Sequence, residues 1–345
     1  MVILENISLA PFTTFGIGGP AQWFAEVTNE GGIREATDWA RGRGVPLFVL
    51  GGGSNLLVSD RGFPGLVLHI TLMGIERDGG LFRVGAGEPW DDCVEQTLIA
   101  DCAGCECLAG IPGTVGGTPV QNVGAYGQEV SSVIERVRVF DVAERRFAEL
   151  AADECGFSYR RSRFNGADRG RFIVTRVDYR LRESGAPTLQ YPDVKRAMET
   201  KRSSGLPSLE EVAAAVREIR RSKGMLLLEG DPDCRSAGSF FKNPVVGVEF
   251  LERPVARGAP HFPAGPGAEN VGRVKIPAAW LIEQAGFKKG YALGAAGISS
   301  RHTLALINKG GASAEEILAL AEKIAAGVEA RFGIRLEREP VLVGF

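Results

Sequence analysis

The sequence predicts a protein of mixed α-helices and β-strands (α+β) that is divided into two or three domains. Strand and helix patterns alternate through the first third of the chain, and the last long helix has a marked apolar face. A chain of 345 residues usually folds into more than one domain, each with its own hydrophobic core. Glycine accounts for 46 residues, roughly twice its average usage of about 7%, and 24 of these lie in residues 1–130. The first third therefore contains many tight turns or close backbone approaches.

Charge and composition argue against nucleic-acid and membrane partners. The net charge is −2 and no long run of lysine and arginine occurs, which disfavours binding to nucleic acid. The N-terminus lacks a basic segment followed by an apolar one, so we expect no signal peptide, reduced cysteines and a cytoplasmic protein. The longest uncharged run, residues 107–128, could span a bilayer by length. Its two prolines and six glycines exclude a transmembrane helix.

The first third predicts short strands separated by two helices. Apolar, β-branched runs predict strands over 22–27, 45–50, 56–58, 65–70 and 81–84. Thr28 is a suitable N-cap for a helix that runs to Arg41, and Gly44 is a suitable stop. A second helix is predicted over 90–100.

The remainder of the chain continues this mixed pattern. Alternation predicts strands over 133–141, 171–181 and 334–343, and residues 258–272 read as a Pro/Gly-rich surface excursion. Ser208 and Glu211 form a capping-box pattern before a helix over 209–221. Pro277 suits the first position of a helix over 277–285. A second capping-box pattern precedes the last helix, which Gly333 should end.

The segment Gly-Gly-Gly-Ser-Asn at residues 51–55 is the first candidate binding element. It lies between two apolar strands, where successive glycine N–H groups can converge on an anion. Ser54 and Asn55 add side-chain donors. The dinucleotide fingerprint requires a helix after the glycines, whereas a strand pattern follows here. A diphosphate cradle and a simple tight hairpin both fit this segment.

The second candidate binding element is the glycine-rich segment 110–127. It is too long and too uncharged for an ordinary connector. Many exposed amides and little charge suit a large ligand that is partly apolar and partly anionic. A rigid loop between strands is the alternative.

A set of motifs in fixed order resembles one enzyme family over nearly the whole chain. The motifs are Thr-Phe-Gly-Ile at 14–17, the two glycine elements, Tyr-Arg at 159–160, Gly-Ser-Phe-Phe-Lys-Asn-Pro at 238–244, Trp-Leu-Ile-Glu at 280–283 and Leu-Glu-Arg-Glu at 336–339. In this order they resemble the UDP-N-acetylenolpyruvoylglucosamine reductase (MurB) family. Tyr191 and the insert around it resemble the larger subtype, in which a tyrosine closes over the substrate.

The resemblance implies a fold and a set of domain boundaries. It implies an FAD-binding domain of the vanillyl-alcohol-oxidase (PCMH) type, built from two α/β subdomains, and a C-terminal α/β substrate-binding domain. The first subdomain would comprise residues 1–70 and the second residues 71–223 plus 334–345. The substrate-binding domain would comprise residues 224–333.

The resemblance also implies a reaction and its cofactors. The expected reaction is the reduction of UDP-N-acetylglucosamine enolpyruvate to UDP-N-acetylmuramate in peptidoglycan precursor synthesis. NADPH would be the hydride donor and FAD the non-covalent cofactor, in a monomer. The implied FAD-binding residues are Gly51, Gly52, Gly53, Ser54, Asn55, Gly113, Thr114, Gly116, Gly117, Asn122 and Gly124.

Three residues match the catalytic positions of the family. The reaction needs a group that stabilises an enolate-like charge and a group that donates a proton to C2. By resemblance Arg160 holds the carboxylate, Ser239 donates the proton, and Glu339 polarises or relays a proton. A solvated strand edge is the alternative for the arginine cluster that contains Arg160. This chain has Arg338 where the family has a proline, and Glu337 is the alternative to Glu339.

Further residues match substrate contacts, and each of the cationic ones could equally belong to an ordinary solvated surface. These residues are Tyr159, Tyr191, Arg220, Lys223, Asn243 and Lys289, with Lys288 as the alternative to Lys289. No metal site is predicted, because the cysteines at 102, 105 and 107 have no second pair or histidine near them in sequence.

Two other functions remain open on the sequence. An FAD-dependent alcohol oxidase of the same fold would not need NADPH or the set formed by Arg160, Ser239 and Glu339. A flavin-binding sensor module would not need the whole anion-lined region over 230–310.

Overall fold

The computed structural model describes residues 1–201, 206–265 and 270–345. Part of the predicted surface excursion, residues 266–269, lies outside them. The chain divides into two compact units. Unit 1 comprises Met1–Ile7, Ala21–Gly53 and Phe63–Ser222, and unit 2 comprises Ser8–Pro20, Ser54–Gly62 and Lys223–Phe345.

The described residues form α-helices and short strands throughout. The helices are α1 (Glu30–Arg43), α2 (Trp90–Ile99), α3 (Pro192–Lys201), α4 (Leu209–Ser222), α5 (Ala278–Gln284) and α6 (Ala314–Phe332). The strands are β1 (Leu4–Ser8), β2 (Pro20–Val27), β3 (Leu47–Leu50), β4 (Leu56–Val58), β5 (Phe63–Ile70), β6 (Ile75–Asp78), β7 (Leu81–Gly85), β8 (Cys102–Ala103), β9 (Gly124–Ala125), β10 (Gln128–Glu129), β11 (Ile134–Asp141), β12 (Arg146–Ala151), β13 (Phe172–Arg180), β14 (Arg182–Glu183), β15 (Val245–Gly247), β16 (Phe262–Pro263), β17 (Arg273–Lys275), β18 (Ala292–Leu293), β19 (Ala296–Ile298), β20 (Leu306–Asn308) and β21 (Val341–Val343).

Unit 1 is built on two main sheets. One has the strand order β1-β2-β5-β3, in which β5 runs parallel to both β2 and β3. The other has the order β12-β11-β13-β7-β6, and all of its pairs are antiparallel. Helices α2 and α4 bury apolar residues in the core of this unit, among them Trp90, Val94, Val212 and Val216. Burial of one apolar face explains why these short helices are stable.

The ends of the helices in unit 1 follow local signals, with one correction. The capping box before α4 is confirmed, since Ser208 and Glu211 each accept a hydrogen bond from the other's backbone N–H. The predicted cap of α1 at Thr28 is wrong. Asn29 caps this helix instead, because its side-chain oxygen accepts from the N–H of Gly32. Gly44 ends α1 in the left-handed conformation, as predicted.

Unit 2 combines small antiparallel sheets with one long helix. The sheets have the orders β15-β17-β16 and β18-β19-β20, and β21 pairs in parallel with β4. Helix α6 buries Ile317, Leu320, Ile324 and Val328 against the core. The capping box before α6 and its end at Gly333 are confirmed.

The predicted strand over 334–343 is wrong for most of its length. Regular pairing is confined to Val341–Val343. Pro340 has no N–H group to donate to a ladder, and strand pairing of the segment before it is, among the described residues, an isolated bridge between Arg338 and Phe241. The helix predicted from Pro277 begins one residue later, with Pro277 as its N-cap.

The two units differ from the predicted domains at specific places. The C-terminal residues 334–345 belong to unit 2 and not with residues 71–223, because β21 pairs with β4. Residues 8–20 and 54–62 also belong to unit 2. The assignment of functions to three domains stays a prediction. Among the described residues, no α-helix combines the length and the apolar character that crossing a bilayer requires.

Candidate active site

The two glycine elements meet inside unit 1. A Cβ atom on Gly51 would lie 2.7 Å from Oγ1 of Thr114, and one on Gly52 would lie 2.6 Å from Cα of Gly113. Neither position has room for a side chain without a shift of the neighbouring backbone or hydroxyl. The glycines at 51 and 52 are therefore required by the close approach of the two segments.

Backbone conformation adds a second requirement for glycine at this meeting point. Gly53 has a φ of +60° and Gly113 a φ of +119°, in the region that side chains disfavour. Among the described residues, no acceptor receives a hydrogen bond from the N–H groups of Gly52 and Gly53. Amide donors of this kind, with no side chain over them, fit the diphosphate of a dinucleotide cofactor.

The first glycine element is divided between the two units. Its glycines, up to Gly53, belong to unit 1, and Ser54 and Asn55 belong to unit 2. Nδ2 of Asn55 donates to the carbonyl of Glu339 over 3.3 Å, and the carbonyl of Asn55 accepts from Val341 over 2.9 Å. The carbonyl of Ser54 accepts from Oγ1 of Thr14. Asn55 thus positions the backbone beside Glu339, and contact of Ser54 and Asn55 with a cofactor stays a prediction.

The second glycine element begins at a residue that two helices hold. The N–H of Gly110 donates to Oδ1 of Asp91 over 2.6 Å, and its carbonyl accepts from Nε of Arg220 over 2.9 Å. Arg220 is buried, which lowers the pKa of its guanidinium, while the hydroxyl of Tyr126 and the carboxylate of Asp91 act in the opposite direction. Arg220 therefore supports the start of this loop, and its contact with substrate stays a prediction.

The remaining predicted cofactor residues lie further along the same segment. Gly116 passes so close to Ala86 that a Cβ atom would lie 2.7 Å from the alanine methyl, whereas Gly117 has open space. Asn122 is buried, and its amide nitrogen donates to Glu129 over 2.9 Å and to the carbonyl of Ser158 over 3.2 Å. The side chain of Asn122 thus connects this loop to the segment that carries Arg160.

Arg160 lies at the tip of a tight turn in unit 1. Its φ is +55°, and Nη2 donates to the carbonyl of Gly124 over 2.7 Å. Its guanidinium carbon lies 5.4 Å from the ring centroid of Tyr159. The neighbouring Arg163 pairs with Asp168 over 2.8 Å, and Arg161 is exposed. Of the three arginines, Arg160 is the one that reaches the second glycine element.

Ser239 and Glu339 lie on adjacent extended segments of unit 2. The N–H of Glu339 donates to the carbonyl of Phe240 over 2.9 Å, and Ser239 forms an isolated bridge with Ala305. Both side chains are half-buried. Glu337, the alternative to Glu339, is mostly exposed and pairs with Lys242. The structure thus brings Glu339 beside the Ser239 segment and directs Glu337 to a surface ion pair.

The predicted substrate residues differ widely in their surroundings. Oδ1 of Asn243 accepts from the N–H of Ala278 over 2.8 Å, at the start of α5. The ring of Tyr191 is 38% exposed and packs edge-on against Tyr126, with 5.3 Å between centroids. Lys289 is exposed in a turn, and Lys223 is half-buried just after α4. Their contacts with substrate stay predictions.

The cysteine cluster has the properties of a packed core. Cys102, Cys105 and Cys107 are free thiols and fully buried. Burial, with a smaller contribution from the Glu106 carboxylate, raises the pKa of Cys107 to about 12. Within the described ranges, no group of three or more His, Cys, Asp or Glu residues could hold a metal ion.

Comparison with known proteins identifies the family. A family model described as the C-terminal domain of UDP-N-acetylenolpyruvoylglucosamine reductase matches residues 231–343. A protein of that name from Streptomyces coelicolor is 46% identical over 353 aligned residues, covering 99% of this chain and 90% of the relative. The chain belongs to the UDP-N-acetylenolpyruvoylglucosamine reductase (MurB) family. A MurB protein from Thermobifida fusca is 44% identical, with 99% of this chain and 98% of the relative covered.

A solved MurB structure supports the same assignment for the fold. The enzyme from Thermus caldophilus superposes with a TM-score of 0.68 at 28% identity, covering 99% of this chain and 98% of that one. A model of an FAD-binding domain matches residues 21–145 and so includes both glycine elements. The MurB-family fold, with an FAD-binding domain followed by a C-terminal domain, is therefore confirmed, and FAD is the cofactor.

Sequence reasoning missed several residues that support these MurB elements. Asp91 accepts from the N–H of Gly110, and Tyr126 interacts with Arg220, which supports the same loop. Asn165 contacts the turn that carries Arg160. Tyr126 lies within a motif that indicated the family, but Asp91 and Asn165 carry no local signal, because only the fold brings them to their partners.

Proposed function

We propose that this chain catalyses the NADPH-dependent reduction of UDP-N-acetylglucosamine enolpyruvate to UDP-N-acetylmuramate, with FAD as a non-covalent cofactor, in peptidoglycan precursor synthesis. The observation that carries the proposal is membership of the MurB family over 99% of the chain. The family's catalytic motifs are present at Arg160, Ser239 and Glu339. Bound FAD supplies the transfer of hydride from NADPH to the enolpyruvyl double bond.

The glycine elements are the proposed binding site for the FAD diphosphate. The cofactor contacts are assigned to the backbone around Gly51–Gly53 and Gly113–Thr114. The absence of room for side chains at Gly51 and Gly52, together with amides that have no acceptor among the described residues, supports this assignment. The role of the protein here is to hold and orient the cofactor and to exclude water.

Arg160 is the proposed anchor for the substrate carboxylate. A guanidinium can bind a carboxylate through two parallel hydrogen bonds. Its Nη2 already donates to the carbonyl of Gly124, so the group is held at the edge of the second glycine element. From there it would neutralise charge that develops on the carboxylate and at C2 during the reaction.

Ser239 is the proposed proton donor to C2, and Glu339 is its proposed partner in unit 2. A serine hydroxyl is a weak acid and needs help from its surroundings to deliver a proton. The hydrogen bond from the Glu339 N–H to the Phe240 carbonyl fixes the glutamate backbone beside the serine segment. This arrangement favours Glu339 over Glu337, whose carboxylate is engaged with Lys242.

The remaining substrate contacts are proposed from their positions and residue types. Oδ1 of Asn243 accepts from the N–H of Ala278, the first residue of α5, and its amide nitrogen is the group proposed to donate to a substrate acceptor. Tyr191 is exposed enough to pack over a ligand, and Lys223 and Lys289 are cations suited to the diphosphate or uracil. We also propose that the protein acts as a monomer in the cytoplasm, where its six free, buried thiols stay reduced.

One anaerobic experiment tests the proposal against an oxidase or a sensor. The FAD-loaded protein is mixed with NADPH, and flavin absorbance is followed before and after UDP-N-acetylglucosamine enolpyruvate is added. We expect rapid bleaching by NADPH and recovery of the flavin absorbance by the substrate without oxygen. A protein that cannot bind FAD, or whose bleached flavin the substrate fails to reoxidise, would contradict the proposal. Bleaching by an alcohol in place of NADPH would indicate the oxidase.

A further inference from the structure

The turn that carries Arg160 is conformationally demanding. Ser158 and Arg161 exchange two backbone hydrogen bonds, of 2.9 and 3.0 Å, which leaves Tyr159 and Arg160 as the two central residues. Arg160 has a φ of +55°, a conformation that turns of this kind usually assign to glycine or asparagine. An arginine here is strained, and it persists only where surrounding contacts hold it.

Asn165 holds this turn from one side with a single amide group. Its Nδ2 donates to the carbonyl of Arg160 over 3.2 Å, and its Oδ1 accepts from the N–H of Ser162 over 2.9 Å. Only a side chain that has both a donor and an acceptor can make this pair of contacts. The amide therefore bridges the strained residue to the backbone that follows it.

The same turn is fixed to the second glycine element at two other points. Nδ2 of Asn122 donates to the carbonyl of Ser158, and Oγ of Ser162 donates to the carbonyl of Val120 over 2.6 Å. With these contacts the backbone on both sides of Arg160 is anchored. The carbonyl of Arg160 itself is held by Asn165.

We propose that Asn165 is a positioning residue for Arg160. Its amide keeps residue 160 in the left-handed conformation from which the guanidinium reaches Gly124 and is presented to the substrate carboxylate. The proposal rests on the proposed function, because the carboxylate is the ligand assigned to Arg160. It adds a residue outside the family motifs that sets the rate of substrate reduction without touching the substrate.

The test combines Asn165→Asp with a double-mutant cycle on Arg160→Lys. Aspartate keeps the acceptor for Ser162 and loses the donor to Arg160, and Asn165→Leu removes both contacts without adding a charge. We expect reoxidation of the NADPH-bleached enzyme by substrate to slow by about 10-fold to 100-fold. Bleaching by NADPH should not change. In the Arg160→Lys background, the same substitution should have little further effect, because the group that it positions is absent.

Two measurements that need no turnover accompany the kinetics. Binding of UDP-N-acetylmuramate, followed by calorimetry, should weaken about 10-fold in Asn165→Asp, because the product carries the same carboxylate. Hydrogen exchange at the Arg161 N–H, which closes the turn, should accelerate about 10-fold. The matched control is Asn29→Asp, which keeps the oxygen that caps α1. It should change none of these quantities.

The outcomes distinguish failure of the positioning role of Asn165 from failure of the proposed function. Equal slowing of both half-reactions, or equal effects of Asn165→Asp in the wild-type and Arg160→Lys backgrounds, would overturn the positioning role. Unchanged reoxidation and unchanged exchange at Arg161 would also overturn it. Accelerated exchange in the variant, together with a wild-type enzyme that the substrate does not reoxidise, would overturn the proposed function and leave the contact between Asn165 and the turn supported.

Discussion

Nε of Arg220 donates a hydrogen bond of 2.9 Å to the carbonyl oxygen of Gly110. The last turn of α4 therefore holds the first residue of the second glycine element. The N–H of the same glycine donates to the carboxylate of Asp91, so charged side chains from two helices satisfy both of its backbone groups. Hydrogen bonds to charged partners are roughly twice as strong as neutral ones. The start of the second glycine element is thus fixed more firmly than its glycine content suggests.

Replacing Arg220 should loosen this loop. The variant Arg220→Met keeps the apolar stem but leaves the carbonyl of Gly110 without its cationic donor. We expect the free energy of unfolding to fall by about 1.5–3 kcal/mol and the affinity for FAD to fall with it. Urea unfolding of the apoprotein and titration with FAD measure the two effects.

The neighbouring Arg221 provides the control for this substitution. Arg221 forms an exposed ion pair with Glu218 in the same helix turn. Exposed pairs contribute about 0–1 kcal/mol, so Arg221→Met should change stability and FAD affinity little. If both variants lost the same stability and the same FAD affinity, the contact between Arg220 and Gly110 would not be what stabilises this loop.

A methyl group at Gly52 should interfere with FAD binding. A Cβ atom there would lie 2.6 Å from Cα of Gly113 and 3.0 Å from the Thr114 nitrogen. These neighbours are backbone atoms, so the two glycine elements would have to move apart. We expect Gly52→Ala to be purified largely without flavin and to bind added FAD at least about 10-fold more weakly. Flavin absorbance and calorimetry measure this.

Gly42 in α1 is the matched control for Gly52. A Cβ atom on Gly42 would meet nothing within 4 Å. Alanine there should leave FAD binding unchanged and should stabilise the helix by up to about 1 kcal/mol. Wild-type FAD affinity in Gly52→Ala would contradict the close approach of the two elements as the reason for glycine.

Helix caps could be predicted from the sequence, because each cap depends on residues that are close together in the chain. The capping boxes before α4 and before α6, the latter formed by Ser313 and Glu316, are confirmed, because the two partners are three residues apart and the geometry follows from the helix itself. The cap of α1 was misplaced by one residue, from Asn29 to Thr28. Both residue types cap helices well, so the sequence offered no means to choose between them.

Contacts between distant segments could not be predicted in the same way. The bond from Asn55 to the Glu339 carbonyl and the bond from Arg220 to Gly110 depend on the packing of elements far apart in the chain. The family resemblance indicated that these regions matter, but it assigned Arg220 to substrate. Its burial and its contact with Gly110 became visible only in the fold.

Removing the hydroxyl of Ser239 should separate the two half-reactions. In Ser239→Ala, NADPH should still bleach the flavin at the wild-type rate, because that step needs no proton donor at C2. Reoxidation by the enolpyruvyl substrate should slow by about 10²-fold to 10⁴-fold, the usual contribution of a positioned general acid. Stopped-flow absorbance under anaerobic conditions measures both steps.

Ser222, at the end of α4, is the control for the loss of a serine hydroxyl. Its Oγ donates to the carbonyl of Ile219 within the helix, on the exposed side. Ser222→Ala should leave both half-reactions unchanged. Equal slowing of both half-reactions in Ser239→Ala would contradict a role as proton donor.

The ion pair between Glu30 and Arg138 should make the stability of unit 1 depend on acid pH. Nε and Nη2 of Arg138 donate to the two carboxylate oxygens of Glu30, and these hydrogen bonds lower the pKa of Glu30 although partial burial opposes them. Because the folded pKa lies below the unfolded value of about 4.3, the stabilisation is complete above that pH and is lost as pH falls through the folded pKa. Urea unfolding should therefore show Glu30→Gln less stable than wild type at about pH 7, with the difference closing at acid pH as the folded carboxylate becomes protonated. The exposed Glu218→Gln should differ little from wild type at either pH. If Glu30→Gln remained less stable than wild type at low pH, the lost stability would come from packing and not from the charge of Glu30.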